Sequence, residues 1–161
     1  MEKTFFLEMA DKYKDTIYRI ALNYYGNPYD ADDTVQEVLL KLYAADRGFE
    51  SEEHVRNWLI RVTINECKNV LRSPWKSRTD AWEEVCASSA FETPEEGELL
   101  QAVLRLPEKY RMPLYLFYYE ELSVREIAAL LKLKESAVTT RLSRARERLK
   151  EKLTEGGHNE F

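Results

Sequence analysis

The sequence is poor in the residues that most often do chemistry. Its 161 residues include two histidines, His54 and His158, and two cysteines, Cys67 and Cys86. The cysteines lie far apart with no CxxC spacing, which argues against a zinc site or a disulfide framework and fits a reducing compartment. There is no HExxH pair, no glycine-rich phosphate loop, and no serine or cysteine in a nucleophile setting. The chain is therefore not expected to be an enzyme, and no metal, cofactor or small-molecule substrate is expected. No run reaches the roughly 20 apolar residues of a membrane span. Charges at Glu2, Lys3, Glu8, Asp11, Lys12 and Lys14 interrupt the uninterrupted apolar core that a secretory signal requires. The expected location is the cytoplasm. Glycine and proline are also scarce, five of each, so few sharp turns are available. With 33% charged residues, this composition points to a helix-rich protein.

Charge is unevenly placed. The total is −5, yet residues 122–153 hold nine bases and four acids, a net +5 that leaves −10 for the remainder. A basic segment in an acidic chain marks a localised polyanion-binding face.

Helical spacing runs through nearly the whole chain. Phe6, Met9, Ala10, Tyr13, Ile17, Ile20, Ala21 and Tyr24 recur at threes and fours and form one buried stripe. Gly26-Asn27-Pro28 breaks it. Asp30, Asp32 and Asp33 then mark a new helix start, since acids favour the positive end of the helix dipole. Ala31, Val35, Val38, Leu39 and Leu42 give this second helix its buried face. Outside that face lie Asp32, Gln36, Glu37, Leu40 and Lys41, and an exposed leucine among polar groups suits a protein contact, although one alone usually carries no meaning. Arg47-Gly48-Phe49 interrupts again, and a third helix spans residues 52–72. On it Asn57, Arg61, Asn65, Lys68 and Arg72 fall within a sector of roughly 80° that contains no acid. Amides and bases with aromatics nearby suit a DNA backbone and exposed bases, while the plainer reading is a solvated face.

Residues 74–93 are acidic, lack amphipathic period and read as a linker, although Trp75 and Trp82 are unusual there. A second helical block follows over 94–153, with residues 154–161 as a tail. In it Leu99, Ala102, Val103 and Leu106 share one face, Pro107 suits a first turn, and Pro113 should kink or restart the helix. Ser123 and Glu126 make a capping box before Val124, Ile127, Ala128 and Leu131. Residues 132–135 form a short turn. Val138, Leu142, Ala145 and Leu149 then stripe a second helix whose other faces carry Ser136, Thr139, Thr140, Arg141, Ser143, Arg144, Arg146 and Arg148. Cap, turn and basic second helix together make a helix-turn-helix, in which small hydroxyls allow close approach to base edges and arginines pair with guanines or phosphates. The alternative is an αα-hairpin with a solvated basic face.

Three segments carry a family resemblance. DADDTVQEVLLKLY (30–43) resembles the polymerase-binding helix of region two in bacterial sigma factors of the extracytoplasmic-function group. VRNWLIRVTINECKNVLRS (55–73) resembles the promoter-melting helix that follows it. LPEKYRMPLYLFYYEELSVREIAALLKLKESAVTTRLSRARERL (106–149) resembles region four. The resemblance implies an all-α protein with two small helical domains, residues 1–73 and 94–153, joined by a flexible linker. It implies core RNA polymerase, promoter DNA and an anti-sigma factor as partners. Asp33, Gln36, Glu37 and Leu40 would face the polymerase. The loop 46–55 with Asn57, Arg61, Asn65, Lys68 and Arg72 would bind the melted minus-ten element. Ser136, Thr139, Thr140, Arg141, Ser143, Arg144 and Arg148 would read the minus-thirty-five element. Where the family usually has glycine and then proline in the turn, this chain has Lys132 and Lys134, so Lys132 must take the required backbone conformation at some strain. Other classes remain open on the residues alone: a helix-turn-helix repressor or activator whose first domain binds a ligand or dimerises, or a helical scaffold without DNA function.

Overall fold

The computed structural model describes residues 1–45, 48–71 and 101–155, and helix is the only regular secondary structure among them. The chain divides into two compact units, Met1–Ala81 and Trp82–Phe161. The acidic segment 74–93, Arg72 and the end of the tail lie outside the described residues.

The first unit is a three-helix bundle of α1 (Lys3–Tyr25), α2 (Pro28–Ala44) and α3 (Glu52–Leu71), each packed on the other two. α1 stops where Gly26 takes a left-handed conformation, φ 66°, and its N–H closes on the Leu22 carbonyl at 2.7 Å. A side chain there would oppose that backbone, which is why glycine ends the helix. α2 begins earlier than the three aspartates suggest. Asn27 caps it, its side-chain oxygen accepting from the N–H of Tyr29 at 2.8 Å and of Asp30 at 3.3 Å, and Pro28 occupies the first helical position. A side-chain cap at Asn27 followed by proline outweighs the weaker preference of acids for the first turn.

The bundle is held by apolar burial. Met9, Tyr13, Ile17, Val38, Leu42, Val55 and Leu59 form one core cluster, with Phe6, Phe49, Trp58 and Val62 packed against it. Each fully buried aliphatic side chain is worth about 1.5–3 kcal/mol. Two buried threonines are satisfied: Thr34 donates to the Tyr25 hydroxyl at 3.1 Å, and Thr63 donates to the Leu59 carbonyl at 2.6 Å. Lys41 of α2 reaches Glu66 of α3 at 2.6 Å across the surface.

The second unit begins its described part with helical residues 101–104, then α4 (Glu108–Tyr118), α5 (Val124–Leu131) and α6 (Glu135–Glu155). Arg111 is buried and donates to the carbonyls of Leu104 at 3.0 Å and Leu106 at 2.8 Å. A guanidinium thus occupies carbonyls at the end of the preceding helix that have no intrahelical donor. Pro113 does not restart the helix: α4 runs unbroken through it. Proline removes one backbone bond, but Met112, Pro113, Leu114 and Leu116 are all buried, and packing holds the helix together.

The capping box forms as the spacing predicts. Glu126 N–H donates to Ser123 Oγ and Ser123 N–H to Glu126 Oε1, both at 3.1 Å. α5 then ends at Lys132 in the left-handed region, φ 58° and ψ 48°, with the Leu133 N–H closing on the Ala128 carbonyl at 2.9 Å. A non-glycine residue there costs about 1–2 kcal/mol. Lys132→Gly should therefore stabilise the second unit by about 1 kcal/mol, read as slower hydrogen exchange of the α5 and α6 amides. Unchanged or faster exchange would show that the turn carries no strain.

Candidate nucleic-acid and polymerase interfaces

α6 sorts its side chains by face. Val138, Leu142, Ala145, Leu149 and Leu153 are buried against the rest of the second unit. That leaves Ser136, Thr139, Thr140, Ser143, Arg144 and Arg148 exposed and Arg141 half-buried. The Thr139 hydroxyl donates back to the Glu135 carbonyl at 3.1 Å. It therefore offers outward only lone pairs and a methyl group, which suit a base donor and a thymine methyl.

The arginines of α6 are not equivalent. Arg146 donates to the Tyr118 hydroxyl at 2.8 Å. The Arg148 guanidinium lies 4.7 Å from the centroid of the Tyr110 ring, so this predicted DNA contact packs on an aromatic face of α4. Arg141 and Arg144 instead line a cleft of about 340 Å³ with Lys109, Tyr110, Ser136, Ala137 and Thr140. Lys109 and Tyr110 were invisible to sequence reasoning. They belong to α4, and only tertiary packing brings them beside the helix-turn-helix.

In the first unit, Asp33, Gln36, Glu37 and Leu40 follow helical spacing along α2 and are all exposed, Leu40 at 63%. The stripe continues to Tyr43, 52% exposed, whose ring meets Phe6 edge-on at 5.0 Å. Tyr43 was also missed, although its place three residues after Leu40 is a legible signal. On α3, Arg61 and Asn65 are exposed and Asn57 and Lys68 half-buried. They form one polar stripe, which Arg72 would extend beyond the described residues.

Residues 49–51, just before α3, are tied to its first turns. Ser51 Oγ accepts from the His54 N–H at 3.1 Å, and His54 Nδ1 accepts from the Glu50 N–H at 3.1 Å. Phe49 packs edge-on against His54 at 5.2 Å and Trp58 at 5.6 Å. Glu52, the first residue of α3, accepts from Lys12 and from the Tyr13 hydroxyl of α1. The hydrogen bond from Lys12 holds the Glu52 carboxyl below its usual range, with burial opposing it and Tyr13 adding to it. The same bond raises the Lys12 ammonium, again against burial. Burial first, then Glu52, raises the Tyr13 hydroxyl.

Known proteins match both units. Residues 9–77 match the family described as Sigma-70 region 2, and residues 96–149 match Sigma-70, region 4. The extracytoplasmic-function (ECF) RNA polymerase sigma-E factor of Escherichia coli (strain K12) is 35% identical over 77% of this chain and 74% of its own length. The chain belongs to the sigma-70 family, in its ECF group. The ECF RNA polymerase sigma factor SigW of Bacillus subtilis (strain 168) is 29% identical over 92% of this chain and 88% of its own. Among solved structures, the sigma factor RpoE from Bartonella quintana, in complex with the anti-sigma factor NepR, shares the fold with a TM-score of 0.74. It is 22% identical over 95% of this chain and 98% of its own. CnrH, in complex with the cytosolic domain of CnrY, gives a TM-score of 0.67 at 22% identity over 95% of this chain and 90% of its own.

As a sigma factor, the protein directs core RNA polymerase to promoters, and the reading as a helix-turn-helix repressor or activator whose first domain binds a ligand or dimerises is not favoured. Its all-α architecture agrees with the resemblance seen in the sequence. Among the described residues, no helix is long and apolar enough to cross a membrane.

The Lys12–Glu52 pair gives the first unit a defined pH response. The lowered Glu52 carboxyl contributes stability that is present above the ordinary glutamate value of about 4.3 and is lost as pH falls through the lower folded value. The raised Lys12 contributes stability that is present below about 10.4 and is lost as pH rises through its higher folded value. Glu52→Gln should accordingly flatten the acid limb of the unfolding midpoint followed by circular dichroism. An acid limb as steep as that of the parent protein would refute the role assigned to Glu52.

Proposed function

We propose that the three exposed stripes divide the work of initiation. Asp33, Gln36, Glu37 and Leu40 on α2, extended by Tyr43, dock on core RNA polymerase. The loop before α3, with Asn57, Arg61, Asn65 and Lys68 and then Arg72, captures single-stranded bases of the minus-ten element. α6 engages the minus-thirty-five element in the major groove through Ser136, Thr139, Thr140, Arg141, Ser143, Arg144 and Arg148. The domains are residues 1–73 and 94–153, joined by the acidic linker 74–93. The chain supplies recognition in the cytoplasm, and the polymerase performs all the chemistry.

The observation that carries this reading is the solvent-facing α2 stripe. A monomer gains nothing from presenting Leu40 and Tyr43 to water beside a carboxamide and two carboxylates, whereas a protein partner buries the apolar pair inside a polar rim. α3 supports it with amide and cationic groups on one face, chemistry suited to phosphates and unpaired bases rather than to a protein core. Of the two solved structures that share the fold, RpoE was captured with the anti-sigma factor NepR and CnrH with the cytosolic domain of CnrY. An anti-sigma factor that competes for the α2 stripe is the corresponding partner here.

Replacing Gln36, Glu37 and Leu40 together with alanine should abolish capture of core polymerase while leaving the helical circular dichroism and the yield unchanged. All three side chains are exposed, so the fold does not depend on them. Undiminished capture would place the polymerase contact elsewhere.

A further inference from the structure

The cleft beside α6 has features that reading the helix alone does not explain. Its lining is Lys109, Tyr110, Ser136, Ala137, Thr140, Arg141 and Arg144, with three cations, two aliphatic hydroxyls and no carboxylate. Glu108 and Glu135 adjoin these residues in sequence but do not line the space. Among the described residues, none of the three cations is in an ion pair. Cations on two different helices thus converge on one concavity and repel one another until an anion enters.

Tyr110 reports that local field. Its ring is buried, with the Lys109 ammonium 5.0 Å from its centroid and the Arg148 guanidinium 4.7 Å from it. Burial alone would raise its hydroxyl. The Lys109 charge, hydrogen bonds with Arg144 and Lys109, and the Arg148 charge outweigh burial and hold it below the usual phenol range. The tyrosine also fixes the flexible lysine and arginine stems around it, reducing the entropy lost when they grip a ligand.

We propose that this cleft holds one phosphate of the duplex backbone, gripped by Lys109 of α4 together with Arg141 and Arg144 of α6. Lys109 thereby anchors promoter DNA from outside the helix-turn-helix. The inference rests on the reading of α6 as the DNA-facing helix. It separates two kinds of work on that helix: the cleft edge sets position and affinity without regard to sequence, while Thr139 and Ser143, which do not line the cleft, face the base edges. A lysine ammonium is a compact point charge without the planar fork that reads guanine, which suits the sequence-independent role.

The test uses the full chain assembled with core polymerase, on duplex promoter fragments that differ only in the minus-thirty-five element. Lys109→Ala should weaken binding several-fold and by the same factor on every fragment. The slope of log affinity against log salt should become shallower by about 1. Lys109→Arg should retain most of the affinity. Lys109 is exposed, and matched thermal unfolding of the variants confirms that the fold is kept. If Lys109→Ala changes neither affinity nor slope while Arg144→Ala weakens binding, the Lys109 anchor is wrong and the DNA reading of α6 stands. A loss confined to particular fragments would make Lys109 a base contact and would also overturn the proposal. If the variants at Lys109, Arg141 and Arg144 all bind as the parent does, the DNA reading of α6 itself fails.

Discussion

The apolar seam Val138–Leu142–Ala145–Leu149–Leu153 is the constraint on which the second unit depends. An α-helix has only one face to bury, and once these five residues claim it, the positions of all the others follow from 3.6 residues per turn. Ser136, Thr139, Thr140, Ser143 and Arg144 are left facing outward because they are not on the seam. Arg146 and Arg148 lie beside it and are drawn onto the tyrosines of α4. Truncating a buried leucine of the seam would cost about 2–5 kcal/mol and would disturb every solvent-facing group of α6 together. The seam is also why Pro113 and a left-handed Lys132 are tolerated: the burial they permit exceeds the strain they impose.

The first unit uses the same logic with a different product. Its three helices share one core, and each turns a polar stripe outward. The α2 stripe combines carboxylates, an amide and two exposed apolar side chains, whereas α3 offers amides and cations without an acid among them. Under the proposed division of work, opposite chemistry on neighbouring helices would let a small bundle address a protein and a nucleic acid without confusing them. Glu52 matters because it fastens the start of α3 to α1 through Lys12 and Tyr13. Residues 49–51 thus stand on a fixed base, with Phe49 packed against His54 and Trp58.

Much of this was legible before any coordinates. The stripes of α1, α2 and α6, the Ser123 capping box and the turn after α5 follow from periodicity and local hydrogen-bonding rules, which depend only on nearby residues. Local rules also misled in two places. The aspartates drew the start of α2 past Asn27, a better cap, and Pro113, expected to kink or restart its helix, does not restart it because its buried neighbours hold the helix together. What could not be read was contact between distant segments. Lys109 and Tyr110 looked like ordinary first-turn residues, because their place beside Arg144 depends on how α4 packs on α6. The buried role of Arg111 was hidden for the same reason: a cation in a helical pattern gives no sign that it will turn inward to carbonyls left without donors. That Arg148 would stack on the Tyr110 ring while Arg144 lines the cleft beside it was likewise hidden.

The central claim is that this chain confers promoter choice on a polymerase rather than binding operators by itself. Run-off transcription from a library of bacterial promoter fragments, with purified core polymerase and with or without the chain, tests it most directly. The account predicts initiation only when both are present, from fragments that share two sequence blocks at a fixed spacing. Tight, sequence-specific duplex binding by the chain alone, with initiation by polymerase unaffected by it, would contradict the account.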